Sequence, residues 1–167
     1  MEFSNPWKGL ETFIHVFHSL PSGLRHQITN VTLVSHDDLS GFDTRGMNVV
    51  RPTCDADIAK VYQSADIFIS TSWWEGFGLP PLGAMACGCA VITSKSGGVN
   101  EFAEEGKNCL MFEPENEHEL TENLNILIND IVLRKRLAIA GVRTASAFDW
   151  KKSANQLLNI LCLPPQL

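Results

Sequence analysis

Asp66-Ile67-Phe68-Ile69-Ser70-Thr71 runs directly into Ser72-Trp73-Trp74-Glu75-Gly76-Phe77-Gly78-Leu79-Pro80-Pro81-Leu82-Gly83-Ala84-Met85-Ala86-Cys87-Gly88. The first part is apolar without alternation, as in a parallel strand covered on both faces. Gly76 and Gly78 bracket Phe77, and glycine permits both positive φ and close approach of a ligand to the backbone. Pro80 or Pro81 suits a first helical turn, where no N–H is needed for the ladder. A helix of small residues, predicted over 80–87, then leaves the turn. Strand, glycine-rich turn and helix is the arrangement that holds an anion at a helix N-terminus, through unused amides and the helix dipole. Glu75 lies in the middle of that turn, where a neutral ligand group would meet it. A tight turn that binds nothing would carry the same glycines.

The next strand, predicted over 90–93, opens into Ser94-Lys95-Ser96-Gly97-Gly98-Val99-Asn100-Glu101. In an open parallel sheet both loops emerge at the carboxyl edge, where ligands bind. Upstream, Leu10, Phe13, Ile14, Val16 and Phe17 give a helical rhythm over 8–20, ended by Pro21-Ser22-Gly23. Short strands are predicted at 31–34 and 48–50, and Asp55 is expected to cap a helix through Ala65. Downstream come a strand at 108–112 and helices at 117–129, 131–147 and 150–161. Strands alternating with helices predict an α/β fold, a parallel sheet with right-handed crossovers. The helical tail is expected to pack on or beside it.

The 167 residues read as a single domain large enough for a full core. A net charge of −6 argues against non-specific nucleic-acid binding. No apolar run approaches the ~20 residues that span a bilayer, and the first residues show no secretory signal pattern. Five cysteines, an odd number, do not form a disulfide framework, which fits a reducing cytoplasm. Asn30-Val31-Thr32 is then a chance glycosylation match. Asp55-Ala56-Asp57 opens a helix, so capping is favoured over metal binding. Cys87-Gly88-Cys89 lacks a second ligand pair at zinc spacing. Trp73 and Trp74 fit two readings: lining a ligand site or cleft, or burial against neighbouring loops. Arg134-Lys135-Arg136 reads as a solvated helix face.

Several segments together carry a family resemblance: Ala65 to Ser70, Glu75-Gly76-Phe77-Gly78-Leu79-Pro80, Ala84 to Ile92, Gly97-Gly98-Val99-Asn100-Glu101 and Gly106-Lys107-Asn108. They resemble the C-terminal, donor-binding half of GT-B glycosyltransferases of the retaining family 4, or group 1. Pro6-Trp7-Lys8-Gly9 is similar to the entry to that domain's first helix, and Phe148-Asp149-Trp150-Lys151 to its end. The resemblance implies a Rossmann-like parallel sheet with helices on both faces and a helical C-terminal tail. It implies transfer of a hexosyl or deoxyhexosyl group from a nucleotide-diphospho-sugar to a glycan or lipid-linked acceptor, as in polysaccharide biosynthesis. No metal cofactor is needed in that family. The implied partners are the donor and an N-terminal acceptor-binding half, through which peripheral membrane association would arise.

On this resemblance, Glu75 matches the first acid of a paired-glutamate motif and hydrogen-bonds the donor sugar. Gly76, Phe77, Gly78 and Leu79 form the turn over sugar and diphosphate. Lys8 meets the diphosphate as the nucleotide leaves. Arg51, Pro52 and Thr53 lie in the region that meets the base. Two departures stand out. The motif's second acid, which holds the ribose hydroxyls, falls on Gly83, and an arginine expected about five residues before the lysine falls on Phe3. The strand expected before that arginine is missing, so the chain is expected to be a fragment that begins inside the domain and has no transferase activity alone. The departures also allow a degenerate module that keeps the fold and binds nucleotide weakly or not at all. A sugar-nucleotide epimerase of the same fold is a third reading, opposed by Glu75 to Pro80.

Overall fold

The structure, a computed structural model, describes residues 6–161. A 3-10 turn at Pro6–Lys8 leads into α1 (Leu10–Ser19), the short α2 (Ser22–Arg25), β1 (Thr32–Val34) and β2 (Asn48–Val50). Then follow α3 (Asp55–Gln63), β3 (Ile67–Ser70), α4 (Leu79–Ala86), β4 (Ala90–Ser94), a 3-10 turn (Gly98–Glu101) and β5 (Leu110–Phe112). The chain ends its described part with α5 (Glu117–Asn129), α6 (Ile131–Ala145) and α7 (Trp150–Leu161). The expected strands and long helices are present with small shifts of boundary. The first helix ends at Ser19, ahead of the Pro21-Ser22-Gly23 stop signal, which also starts α2. Phe3 lies outside the described residues.

All strand pairs are parallel, but the pairing falls into two groups, β1 with β2, and β3-β4-β5. In the larger group Ile67 pairs with Ala90 and Ile92 with Leu110. Alternate residues of β3 and β4 feed separate cores. Ile67, Ile69, Ala90 and Ile92 pack with α1, α5 and α6 residues such as Val16, Leu120, Leu127 and Leu137. Phe68 and Val91 pack with Tyr62, Leu82 and Met85 from α3 and α4. A strand with apolar residues on both sides needs helices on both faces, and it has them. This is the Rossmann-like arrangement expected from the resemblance.

The tail divides. Helices α5 and α6 are anchored by fully covered Leu120, Leu127 and Leu137. The carboxamide of Asn116 and the carboxylate of Asp130 cap them, accepting from Glu119 N–H and Leu133 N–H. Helix α7 has no buried residue, so only part of the expected tail packs on the body.

The described cysteines are free thiols. Burial pushes the Cys89 thiol up to about 11 and the Cys109 thiol up to about 12. The Cys89 thiol also donates to the Tyr62 carbonyl at 3.0 Å, packing it at a helix end as expected. Thiolates are the reactive form, so maleimide at pH 8 should label exposed Cys54 quickly and leave Cys89 and Cys109 unmodified until the chain unfolds. Peptide mass spectrometry before and after denaturant reads this directly.

Candidate functional site

Residues 7–9 are fastened to the carboxyl end of β3. Trp73 N–H donates to the Trp7 carbonyl at 2.7 Å, and Thr71 Oγ1 donates to the Lys8 carbonyl at 3.0 Å. Gly9 has φ 61, and a Cβ there would overlap the Thr71 carbonyl, so only glycine allows this approach. Trp7 and Trp73 also meet edge to face, with ring centroids 6.0 Å apart. These contacts carry Lys8 across 67 positions of sequence to Glu75, where Nζ donates to Oε1 at 2.6 Å. The Lys8 side chain is 51% exposed and that of Glu75 12%. Among the sequence-derived candidates, this is the pair the fold brings together.

The two glycine loops interlock. Glu75 N–H donates to the Ser96 carbonyl at 2.7 Å, and Gly98 N–H donates to the Glu75 carbonyl at 2.9 Å. Ser72 Oγ donates to Glu75 Oε1, the oxygen that Lys8 also meets, at 2.8 Å. Ser94 Oγ, fully buried at the end of β4, donates to the Ser72 carbonyl. Sequence reading passed over Ser72 and Ser94. The available signal was a small hydroxyl three positions before the acid, in a turn otherwise built of aromatics and glycines.

Two features of the turn follow from its packing. Gly78 alone of its glycines has positive φ, at 93, where it caps α4. The Phe77 ring is directed into an aromatic cluster, 5.6 Å from Phe102 and 5.7 Å from Phe148, so only its backbone is left to a ligand. Leu79 is exposed. Pro80 and Pro81 lack N–H groups, and Leu82 N–H is spent on the Gly78 carbonyl. The backbone donors offered to an anion are therefore Leu79 and the turn before it, fewer than a proline-free helix start would give.

Arg51, Pro52 and Thr53 follow β2. Pro52 is buried, while Arg51 and Thr53 are exposed. Arg51 donates to the Asp37 carbonyl at 3.4 Å and Thr53 to Asp57 at 3.3 Å. Asp55 does not cap α3. Cys54 stands at the cap position with extended backbone, without a side-chain cap bond, and Asp55 and Asp57 occupy the first turn. There they face the positive helix end. Hydrogen bonds from Lys60 first, then Cys54 and Thr53, hold the Asp57 carboxyl below its usual range. Gly83 lies on the second turn of α4, and a Cβ there would touch the Tyr62 ring at 3.4 Å. Trp73 is half-buried against Trp7, whereas Trp74 is exposed, its ring lying near Gly76 and Gly97. Among the described residues, no group of three His, Cys, Asp or Glu side chains is placed to hold a metal, and no helix is long and apolar enough to cross a membrane.

Comparison with known proteins gives this arrangement its relatives. Residues 47–143 match the family model described as glycosyl transferases group 1. Spore coat protein SA of Bacillus subtilis is 36% identical over 107 residues, 62% of this chain and 28% of that protein. A D-inositol 3-phosphate glycosyltransferase of Stackebrandtia nassauensis is 30% identical over 109 residues, 65% of this chain and 25% of that protein. Among solved structures, Anabaena HepE in complex with UDP is 27% identical and superposes with a TM-score of 0.79, over 95% of this chain and 47% of HepE. The C-terminal domain of the group 1 protein LpcC from Francisella tularensis is 28% identical, with a TM-score of 0.68 over 86% of this chain and 80% of that domain. The chain thus spans about a quarter of the length of these curated relatives and about half of HepE. The family match takes in β2 to α6, including the Glu75 turn and both glycine loops, and the parallel sheet superposes on solved members: the chain belongs to the group 1 glycosyltransferases.

Proposed function

We propose that this chain is the donor-binding half of a retaining glycosyltransferase that uses a nucleotide-diphospho-sugar. The observation that carries the reading is the Lys8–Glu75 pair at 2.6 Å, held at the carboxyl end of β3 where two glycine loops meet. In this reading Lys8 and the amides of Gly76, Phe77, Gly78 and Leu79 face the diphosphate and stabilise the charge that develops as it leaves. Glu75 accepts hydrogen bonds from sugar hydroxyls. Arg51, Pro52 and Thr53 border the base, and the ribose lies toward Gly83. Lysine and backbone dipoles supply the positive charge, so the reading requires no metal. Acceptor recognition, and any contact with a membrane, falls to a second half of the protein, and a reducing cytoplasm suits the free thiols. A second reading, a degenerate module that binds nucleotide weakly or not at all, is motivated by Gly83 and Phe3, which stand where the family's second acid and its arginine are expected.

Calorimetric titration of the chain with a panel of nucleoside diphosphates and their sugars separates the two. We expect binding of at least one nucleotide-sugar. Glu75→Gln should then weaken the sugar nucleotide about tenfold more than the free diphosphate, the loss of one charge-assisted hydrogen bond. No binding to any member of the panel would favour the degenerate module, and sugar transfer by this chain alone would refute the donor-half reading.

A further inference from the structure

Two donors converge on one oxygen of Glu75, and they differ in character. Lys8 Nζ, at 2.6 Å, ends a long side chain that is half exposed. Ser72 Oγ, at 2.8 Å, belongs to a residue only 4% exposed. Ser72 is in turn held through its carbonyl by Ser94 Oγ, which is fully buried at the end of β4. The Glu75 backbone is fixed from both sides by the Ser96 carbonyl and Gly98 N–H. A carboxylate on a fixed backbone still turns about its own side-chain bonds, and only a donor on an equally fixed element can stop that rotation.

We propose that Ser72 is a positioning residue for Glu75. Its hydroxyl holds Oε1 when Lys8 moves to a diphosphate, and this leaves Oε2 as the oxygen presented to a sugar hydroxyl. The proposal rests on the donor-site reading above. The ion pair constrains the carboxylate less, because Lys8 ends a long, half-exposed side chain whose ammonium a diphosphate would draw toward itself. The serine is neutral, short and buried, so it gains nothing by following the ligand. A carboxylate released from both donors would populate several rotamers and would have to be ordered again by the sugar. The Ser94–Ser72–Glu75 chain therefore links the end of β4 to the acid of the β3 loop and sets its orientation before any ligand arrives.

Two measurements test this, one without ligand. In a crystal structure of Lys8→Ala, the Glu75 carboxylate should remain within hydrogen-bond distance of Ser72 Oγ. In Ser72→Ala it should leave that position or spread over several rotamers. Release by Lys8→Ala, or no movement in Ser72→Ala, overturns the proposal. In titrations, Ser72→Ala should weaken UDP-glucose about tenfold and leave UDP unchanged, and Ser72→Thr, which keeps the hydroxyl, should restore the difference. Equal weakening of both ligands indicates a merely structural serine and also overturns it. Should Ser72→Ala fail to fold, Ser72→Cys, similar in shape but a weak donor, takes its place with the same expected result. If the unaltered chain binds neither UDP nor UDP-glucose, the donor reading loses its support for these ligands, and the crystal structures still decide the role of Ser72.

Discussion

Gly98→Ala is expected to lower the melting temperature by about 6–12 °C and, on the donor reading, to abolish nucleotide binding. The backbone of Gly98 is not in the left-handed region, so the substitution carries no conformational penalty of that kind. Its effect is steric. A Cβ at this position would stand 2.5 Å from the Phe77 nitrogen and overlap the Gly76 carbonyl group. Both obstacles are backbone, and neither can rotate away. Relief requires the β3 and β4 loops to separate, which breaks the Glu75–Ser96 and Gly98–Glu75 hydrogen bonds. Overpacking costs about 1–3 kcal/mol and each lost bond about 0.5–1.5 kcal/mol. A total near 3 kcal/mol corresponds to that melting shift at this chain length. Gly88→Ala is the control. It has φ 88 and open space around its Cβ position, so it carries only the left-handed penalty of about 1–2 kcal/mol. Thermal unfolding followed by circular dichroism compares the two. A Gly98→Ala protein as stable as Gly88→Ala would show that the loops do not interlock as described.

That interlock also marks how far the sequence could be read. The apolar runs of β3 and β4, the glycines after each and a helix start at the proline pair, within one residue of Leu79, are local signals, and all are legible. So is the shared edge, because parallel strands send their following loops the same way. What the sequence withholds is contact between distant segments. Nothing near Lys8 announces that Thr71 and Trp73 will hold its backbone, and nothing near Ser72 announces Ser94. Phe77 reads as part of a ligand turn because its neighbours are glycines, but its ring answers to Phe102 and Phe148, which lie 25 and 71 positions further on. Asp55 shows the converse error. An acid before a helical run is a strong cap signal, but the helix begins at the acid itself, and Cys54 takes the cap position. Helix α7 is legible as an amphipathic element, with Trp150, Leu157, Leu158 and Leu161 exposed. Its failure to pack is not, since periodicity gives the apolar face and not its partner.

Gly83→Glu is expected to raise the affinity for a ribonucleotide donor by about 10–100-fold, provided the donor reading holds. The structure supports the substitution on three counts. Position 83 is interior to α4, where glycine costs about 0.5–1 kcal/mol relative to a side-chain-bearing residue, so the new residue should stabilise the helix. The added Cβ meets the Tyr62 ring at an ordinary contact distance of 3.4 Å, with no backbone in the way. The position is only partly buried, so a carboxylate there keeps access to water. A carboxylate that accepts from neutral hydroxyls contributes about 1.5–3 kcal/mol, which is the stated range. Gly83→Ala separates the contributions: it should raise the melting temperature by a few degrees and leave binding unchanged. The gain from Gly83→Glu should be larger for a ribose nucleotide than for its 2′-deoxy counterpart, because the second hydroxyl is what the carboxylate would hold. Titration of both variants with UDP-glucose and its 2′-deoxyuridine analogue measures this. Equal affinities for the original chain and Gly83→Glu would mean that the ribose does not lie against α4, and the absence of an acid at this position would then say nothing about how strongly the protein holds its donor.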